Sequence, residues 1–259
     1  MTKPALLGIP YDRKSSYMRG PSMAPPAIRK YLNSYSTNLF AENGLSIENK
    51  YTDLGDLKTK VYIDIETLVA NTLSDHERLV ILGGDHSISY PILKAYARYY
   101  EKIEILHIDA HTDLYDELEG DKYSHACPFA RIMEENLATR LVQVGIRTLN
   151  THQREQSVRF GTEILEMKDY SLKKVPTFKN PIYISIDLDG IDPAFAPGVS
   201  HHEPGGLASR DVIDIIHSIK VPIIGADIVE LNPIMDSQGI TAALAAKLTK
   251  EILAKILEK

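Results

Sequence analysis

Branched apolar residues run from Ile103 to Ile108 and stop at Asp109-Ala110-His111-Thr112-Asp113. A run this apolar reads as a strand covered on both faces. Polar groups cluster where it ends. The pattern recurs: Leu79-Val80-Ile81-Leu82 gives way to Gly83-Gly84-Asp85-His86-Ser87, and Ile182-Tyr183-Ile184-Ser185-Ile186 to Asp187-Leu188-Asp189. A late strand over Val221–Ala226 ends near Asp227 and Glu230. Strands are also expected over 5–9, 45–52 (with a turn at 53–56), 141–145 and 164–167. Helices are expected over 63–73, after Ser87 to about Tyr100, from about His125 to Glu135, over 152–160, and over 240–257 with Leu244, Leu248, Ile252 and Ile256 on one face. Pro25-Pro26 opens a further helix, since proline suits a first turn. Ser209 is expected to cap a helix over 210–218. The alternation predicts one α/β domain over 1–259 with a mainly parallel sheet. Ligands of open parallel sheets bind beyond the carboxyl ends of the strands, so the acidic motifs are expected at one rim.

Charge narrows the function classes. Lys plus Arg is 29 against 35 Asp plus Glu, a net charge of −6, which gives no footprint for nucleic acid or anionic lipid. Cys127 is the one cysteine, so no internal disulfide forms, in keeping with a reducing compartment. It reads as a small packing residue. The N-terminus runs from Met1-Thr2-Lys3-Pro4 into a short apolar strand with no basic-then-apolar leader, and no apolar run nears the ~20 residues of a membrane span. A cytoplasmic location is the expectation.

In an extended chain alternate side chains point the same way, so Asp109, His111 and Asp113 can converge. Such groups repel and desolvate one another unless a cation lies between them. With His86, Asp187 and Asp189 there are six candidates on three strand ends. The rival reading, acidic turns that merely solvate strand ends, explains any one motif but not all three. Four carboxylates and two imidazoles exceed one tetrahedral zinc, and no cysteine is among them. The donor set suits a hard or borderline ion such as manganese. Two such ions sharing carboxylates would use all six residues and balance four negative charges. A water shared by two ions ionises near neutral pH and attacks an electron-poor carbon or phosphorus. The sequence lacks a phosphate-cradling P-loop.

Gly-Gly-Asp-His-Ser at 83–87, Asp-Ala-His-Thr-Asp at 109–113 and Ser-Ile-Asp-Leu-Asp-Gly-Ile-Asp-Pro at 185–193 resemble the three signatures of the ureohydrolases, the family of arginase, agmatinase, guanidinobutyrase and formimidoylglutamase. The resemblance extends from Gly8-Ile9-Pro10 to Val229-Glu230-Leu231-Asn232-Pro233. It is closest to plant-type arginases through Tyr123-Ser124-His125-Ala126, Gln143-Val144-Gly145-Ile146-Arg147 and Gly198-Val199-Ser200-His201-His202-Glu203-Pro204. It implies a three-layer αβα arginase-like fold and two Mn2+ per chain. A metal-bridging hydroxide would attack the guanidinium carbon of arginine or agmatine, releasing urea with ornithine or putrescine. Carried over by motif, His86, Asp109, Asp113 and Asp187 hold metal, His111 and Asp189 complete the pair, and Asp109 and Asp187 bridge. Asp113 also serves the reacting centre. His125 matches the acid/base histidine and Glu230 the guanidinium-binding glutamate. The implied partners are a small cationic guanidino substrate and further copies of the chain, as a trimer or hexamer.

Where many family members have Thr-Gly-Thr-Pro, this chain has Val199-Ser200-His201-His202. The loop from Leu114 to Tyr123 carries Asp116, Glu117, Glu119 and Asp121, which would either attract an amine tail such as agmatine's or form a solvated rim. Arg13 and Arg147 would instead serve an anionic substrate, so a formimidoylglutamase or other guanidino-acid hydrolase is the alternative. A non-catalytic metal-binding homologue is the remote one, since no ligand, His125 or Glu230 is missing. Asp192 begins an Asp-Pro turn and is expected to shape its loop.

Overall fold

The computed structural model describes residues 3–258. In chain order its elements are β1 (Ala5–Gly8), α1 (Ala24–Leu32), β2 (Thr52–Asp56), α2 (Asp64–Asp75), β3 (Leu79–Leu82), α3 (Ser89–Tyr96), β4 (Glu104–Ile108), α4 (Pro128–Glu134), β5 (Arg140–Ile146), α5 (Thr151–Phe160), β6 (Glu163–Glu166), β7 (Ile182–Asp187), α6 (Ser209–Ser218), β8 (Ile223–Val229) and α7 (Ile240–Leu257). The strands form one sheet in the order β2-β1-β3-β8-β7-β4-β5-β6, and every pairing is parallel.

Both faces of the sheet are dry, which is why the strands read as continuous apolar runs. Leu6, Val80, Leu82, Leu106, Ile108, Val142, Ile184 and Ile186 pack toward α1, α6 and α7. Their alternates Leu7, Leu79, Ile81, Ile105, Leu141 and Tyr183 pack toward α2, α3 and α4. The result is three layers, αβα. Among the described residues, no helix is long and apolar enough to cross a membrane.

Several boundaries differ from the sequence reading. The second strand is Thr52–Asp56, not 45–52, and the expected turn at 53–56 is the strand itself. It is a half-exposed edge strand paired to β1, so it lacks the apolar signature of the inner strands. The fourth helix starts at Pro128 rather than near His125, because proline sits at its first turn. His125 therefore lies in the turn before it. Ala208, not Ser209, occupies the cap position of α6, and its N–H is taken by the Asp211 carboxylate at 2.8 Å. Asp227 lies inside β8 rather than at its end.

Candidate metal centre

The sheet's register builds the site from below. Asp227 on β8 pairs with Ser185 on β7, Ser185 with His107 on β4, and His107 with Gln143 on β5. These four polar side chains form one lateral row through an otherwise apolar face, and all are buried. Two residues further along the same face, the pleat brings up Asp109 and Asp187. The row beneath them orients what lies above.

Asp227 accepts hydroxyl hydrogens from Ser185 at 2.6 Å, Ser89 at 2.9 Å and Tyr183 at 2.9 Å. With its hydrogen committed, Ser185 Oγ can only accept from His86 Nε2, at 2.9 Å. That assigns the proton to Nε2 and leaves Nδ1 the ligand lone pair. His86 Nδ1 is buried with no hydrogen-bond partner. It lies 3.2 Å from Asp109 Oδ2, 3.1 Å from Asp113 Oδ2 and 3.2 Å from Asp187 Oδ2. A second focus lies beside it. His111 Nδ1 is 3.1 Å from Asp189 Oδ2 and 3.4 Å from Asp109 Oδ1, so Asp109 faces both foci.

His107 also comes close, with Nε2 2.7 Å from Asp109 Oδ2. Its Nδ1 accepts from Gln143 Nε2 at 2.8 Å, so both ring nitrogens are committed and neither is free to ligate. Burial keeps the His107 ring below its ordinary pKa despite Asp109, so it stands neutral and donates to that carboxylate. The face of Phe129 stacks on it at 3.9 Å.

The electrostatics call for cations. Burial, then Asp189 and Asp109, push the Asp187 carboxyl well above its ordinary range. Burial and Asp109 outweigh His111 and lift Asp189 to about 6. Burial alone would depress His86, but the surrounding carboxylates hold a proton on it far above the ordinary range. A bound cation would substitute for that proton and supply the missing positive charge, as expected when binding releases protons. The unpartnered Nδ1, its fixed tautomer and the all-oxygen-and-imidazole donor set fit divalent ions.

The structure thus draws His86, Asp109, His111, Asp113, Asp187 and Asp189 together, though not by strand alternation throughout. β4 ends at Ile108. His111 and Asp113 arrive by a turn in which Asp109 Oδ1 accepts the His111 N–H at 2.6 Å and Asp113 takes φ 50°. Glu230 takes φ 64°. Left-handed backbone at two carboxylates costs ~1–3 kcal/mol each and is a mark of a site held for function.

Glu230 accepts from the His86 N–H at 2.9 Å and from His125 Nδ1 at 2.8 Å. Beside them a cavity of about 260 Å³ opens, lined also by Ser16, Tyr115, Leu118, Thr148, Gln153 and His201. His201 stands 5.5 Å from the His125 ring and 6.0 Å from the His111 ring. None of the four loop acids lines this cavity. Asp116 is taken by Gln156 and Arg159, and Asp121 by Lys14. Arg147 is not free for an anion either. Its guanidinium donates to the carbonyls of Gly145, Asp189, Gly190 and Glu203. Asp192 shapes its loop as expected, accepting from Ala194, Gly205 and Gly206. Cys127 is buried, and burial pushes its thiol up to about 12.

Sequence reasoning missed Ser16, His107, Gln143, Ser185, Asp227 and the position of His201. A signal existed for His107: it stands two residues before Asp109, where the extended run ends, hence on the same face.

Known proteins resemble this chain in sequence and fold. A family model described as "Arginase family" matches residues 2–254. The mitochondrial Arginase 1 of Arabidopsis thaliana is 46% identical over 276 residues, covering 97% of this chain and 80% of that protein. An agmatinase from Bacillus cereus is 33% identical, covering 97% of this chain and 91% of that one. The solved structure of an arginase from Medicago truncatula superposes with a TM-score of 0.89 at 40% identity, covering 98% of this chain and 87% of that one.

Proposed function

The chain belongs to the arginase family of hydrolases, and from that premise we propose that it hydrolyses the guanidino group of arginine to urea and ornithine. The observation that carries the reading is the His86 Nδ1 lone pair, buried without a partner and aimed among three carboxylates. Two divalent cations, with manganese the expected ion, would be held by His86, Asp109, Asp113 and Asp187 on one side and by His111, Asp189 and the shared Asp109 and Asp187 on the other. When bound, they supply Lewis acidity that makes water a nucleophile at neutral pH.

The chain's own groups do the rest. Glu230 accepts a planar guanidinium through paired, charge-assisted hydrogen bonds and fixes its carbon. In the absence of substrate that carboxylate is satisfied by His125 and the His86 amide. His125 supplies a proton to the departing amine, in the pH range where imidazole exchanges it readily. Asp113, which lines the cavity, would hold a proton as the tetrahedral carbon collapses.

The cavity favours arginine over agmatine. Apart from Asp113, Asp187, Asp189 and Glu230, which the centre itself uses, the lining includes Tyr115, Leu118, Thr148 and Gln153 and adds no further carboxylate to attract an amine. The relatives that bear the name arginase and share 42–46% identity point the same way.

Protein stripped with chelator and reloaded with manganese tests the reading. Urea should appear from arginine with the reloaded protein and not with the stripped one. Absence of urea from both would refute it.

A further inference from the structure

Ser16 touches His125 from the solvent side. Its hydroxyl is 2.9 Å from His125 Nε2, and its backbone N–H donates to the same nitrogen at 3.2 Å. An amide N–H only donates, so Nε2 must carry the lone pair. The ring's proton is therefore on Nδ1, donated to Glu230 at 2.8 Å. Ser16 itself is exposed, whereas His125 is only 9% exposed. The hydroxyl is thus the contact between a buried imidazole and solvent.

This placement is built, not incidental. The Lys14 N–H donates to Asp85 Oδ2 at 2.8 Å, tying the loop to the turn that presents His86. The Lys14 carbonyl accepts the His125 N–H at 3.2 Å, and Lys14 Nζ reaches Asp121 at 2.6 Å. The segment before Ser16 is laced on one side to the metal-site turn and on the other to the turn bearing His125.

We propose that Ser16 is the positioning residue of His125, holding its ring in the Nδ1–H form and passing protons from solvent to Nε2. The inference rests on the acid/base role given to His125 above. In one step the Ser16 O–H bond breaks as Nε2 gains that proton, while Ser16 Oγ takes a proton from a solvent water or buffer acid. Serine is regenerated, His125 becomes the cation, and the donor is left as its conjugate base. Ser16 then turns from donor to acceptor, and its N–H must leave the ring. The groups that face His125 are Glu230, Asp85, Asp113 and the neighbouring His201. Burial depresses the ring, but Glu230 prevails and lifts it to about 9, so reloading is favourable at neutral pH.

The test compares wild type, Ser16→Ala and Ser16→Thr as manganese-loaded full chains. Ser16 is exposed on a loop, so the alanine variant is expected to fold and bind metal as wild type. For Ser16→Ala, kcat should fall about 10-fold, less than the ~10²–10⁴ that general acid–base catalysis supplies in full. KM should change little. Raising a small buffer acid should restore kcat, and Ser16→Thr should keep it. A second arm uses 15N-histidine NMR on the metal-free chain above about pH 9, where the ring is neutral. Wild type should show His125 protonated at Nδ1, and Ser16→Ala should show a mixture of tautomers. Wild-type kcat in Ser16→Ala with no buffer dependence, or an unchanged His125 signal, overturns the inference. A wild type that releases no urea counts against the ureohydrolase reading alone, and the NMR arm then decides the role of Ser16.

Discussion

Ser185 Oγ accepts from His86 Nε2 at 2.9 Å, and the ring's other nitrogen is thereby aimed at carboxylates. The contact spans 99 residues of sequence and depends on Asp227 occupying the serine hydrogen. Groups that orient a metal-ligating histidine in this way typically contribute 10–100-fold to affinity. Ser185→Ala should therefore weaken manganese binding by about 10-fold or more while the chain still folds. Calorimetric titration of the chelator-stripped protein checks this, and unchanged affinity would mean that His86 is oriented by something else.

The acid cluster predicts how stability answers to pH and metal. Asp187 lies well above its ordinary range in the folded chain and Asp189 at about 6. A carboxyl raised by folding binds its proton more tightly in the native state. Its penalty is absent below the unfolded value of ~3.9 and grows as pH rises through the folded one. In chelator, Asp189 should erode stability between about pH 4 and pH 6, and Asp187 should act in the same direction. The melting-temperature gain on adding manganese should widen over the same interval. A gain independent of pH would separate the ions from these carboxylates.

Glu230→Gln keeps the shape of the side chain and removes the charge. It should lower kcat/KM for the guanidino substrate by roughly 10²- to 10³-fold, the usual cost of breaking a buried charged pair. Steady-state urea release measures it. A value near wild type would take Glu230 out of substrate binding.

Gly84 meets the backbone of Tyr11 so closely that an added Cβ would lie 1.7 Å from the Tyr11 carbonyl oxygen. The neighbour is main chain and cannot turn aside. Gly84→Ala should destabilise by ~1–3 kcal/mol or more, with metal binding lost as the His86 turn shifts. Thermal melts and metal titration on the same sample report both effects.

Much of the fold and of the metal centre is legible in the amino-acid sequence. Buried parallel strands write themselves as apolar runs, so the inner strands and the six acidic and histidine positions at their ends stand out. The edge strand Thr52–Asp56 does not, because its residues face solvent. Ser16 and His125 are 109 residues apart, and no local pattern joins a loop serine to a turn histidine. The lateral row from Asp227 to Gln143 depends on strand order and register, which are fixed by packing across the whole sheet. The acids at 116 and 121 read as an amine lure in sequence. Their partners Arg159, Gln156 and Lys14 are distant in the chain and meet them only once it folds.

The most direct measurement is kcat/KM for urea release by the manganese-loaded protein, with arginine and agmatine in separate assays. The geometry predicts turnover of arginine and little of agmatine, because the cavity adds no carboxylate beyond those the centre itself uses. Efficient turnover of agmatine with none of arginine would contradict the assignment of the cavity to a carboxylate-bearing tail. Urea from neither substrate, with manganese bound, would contradict the proposed reaction itself.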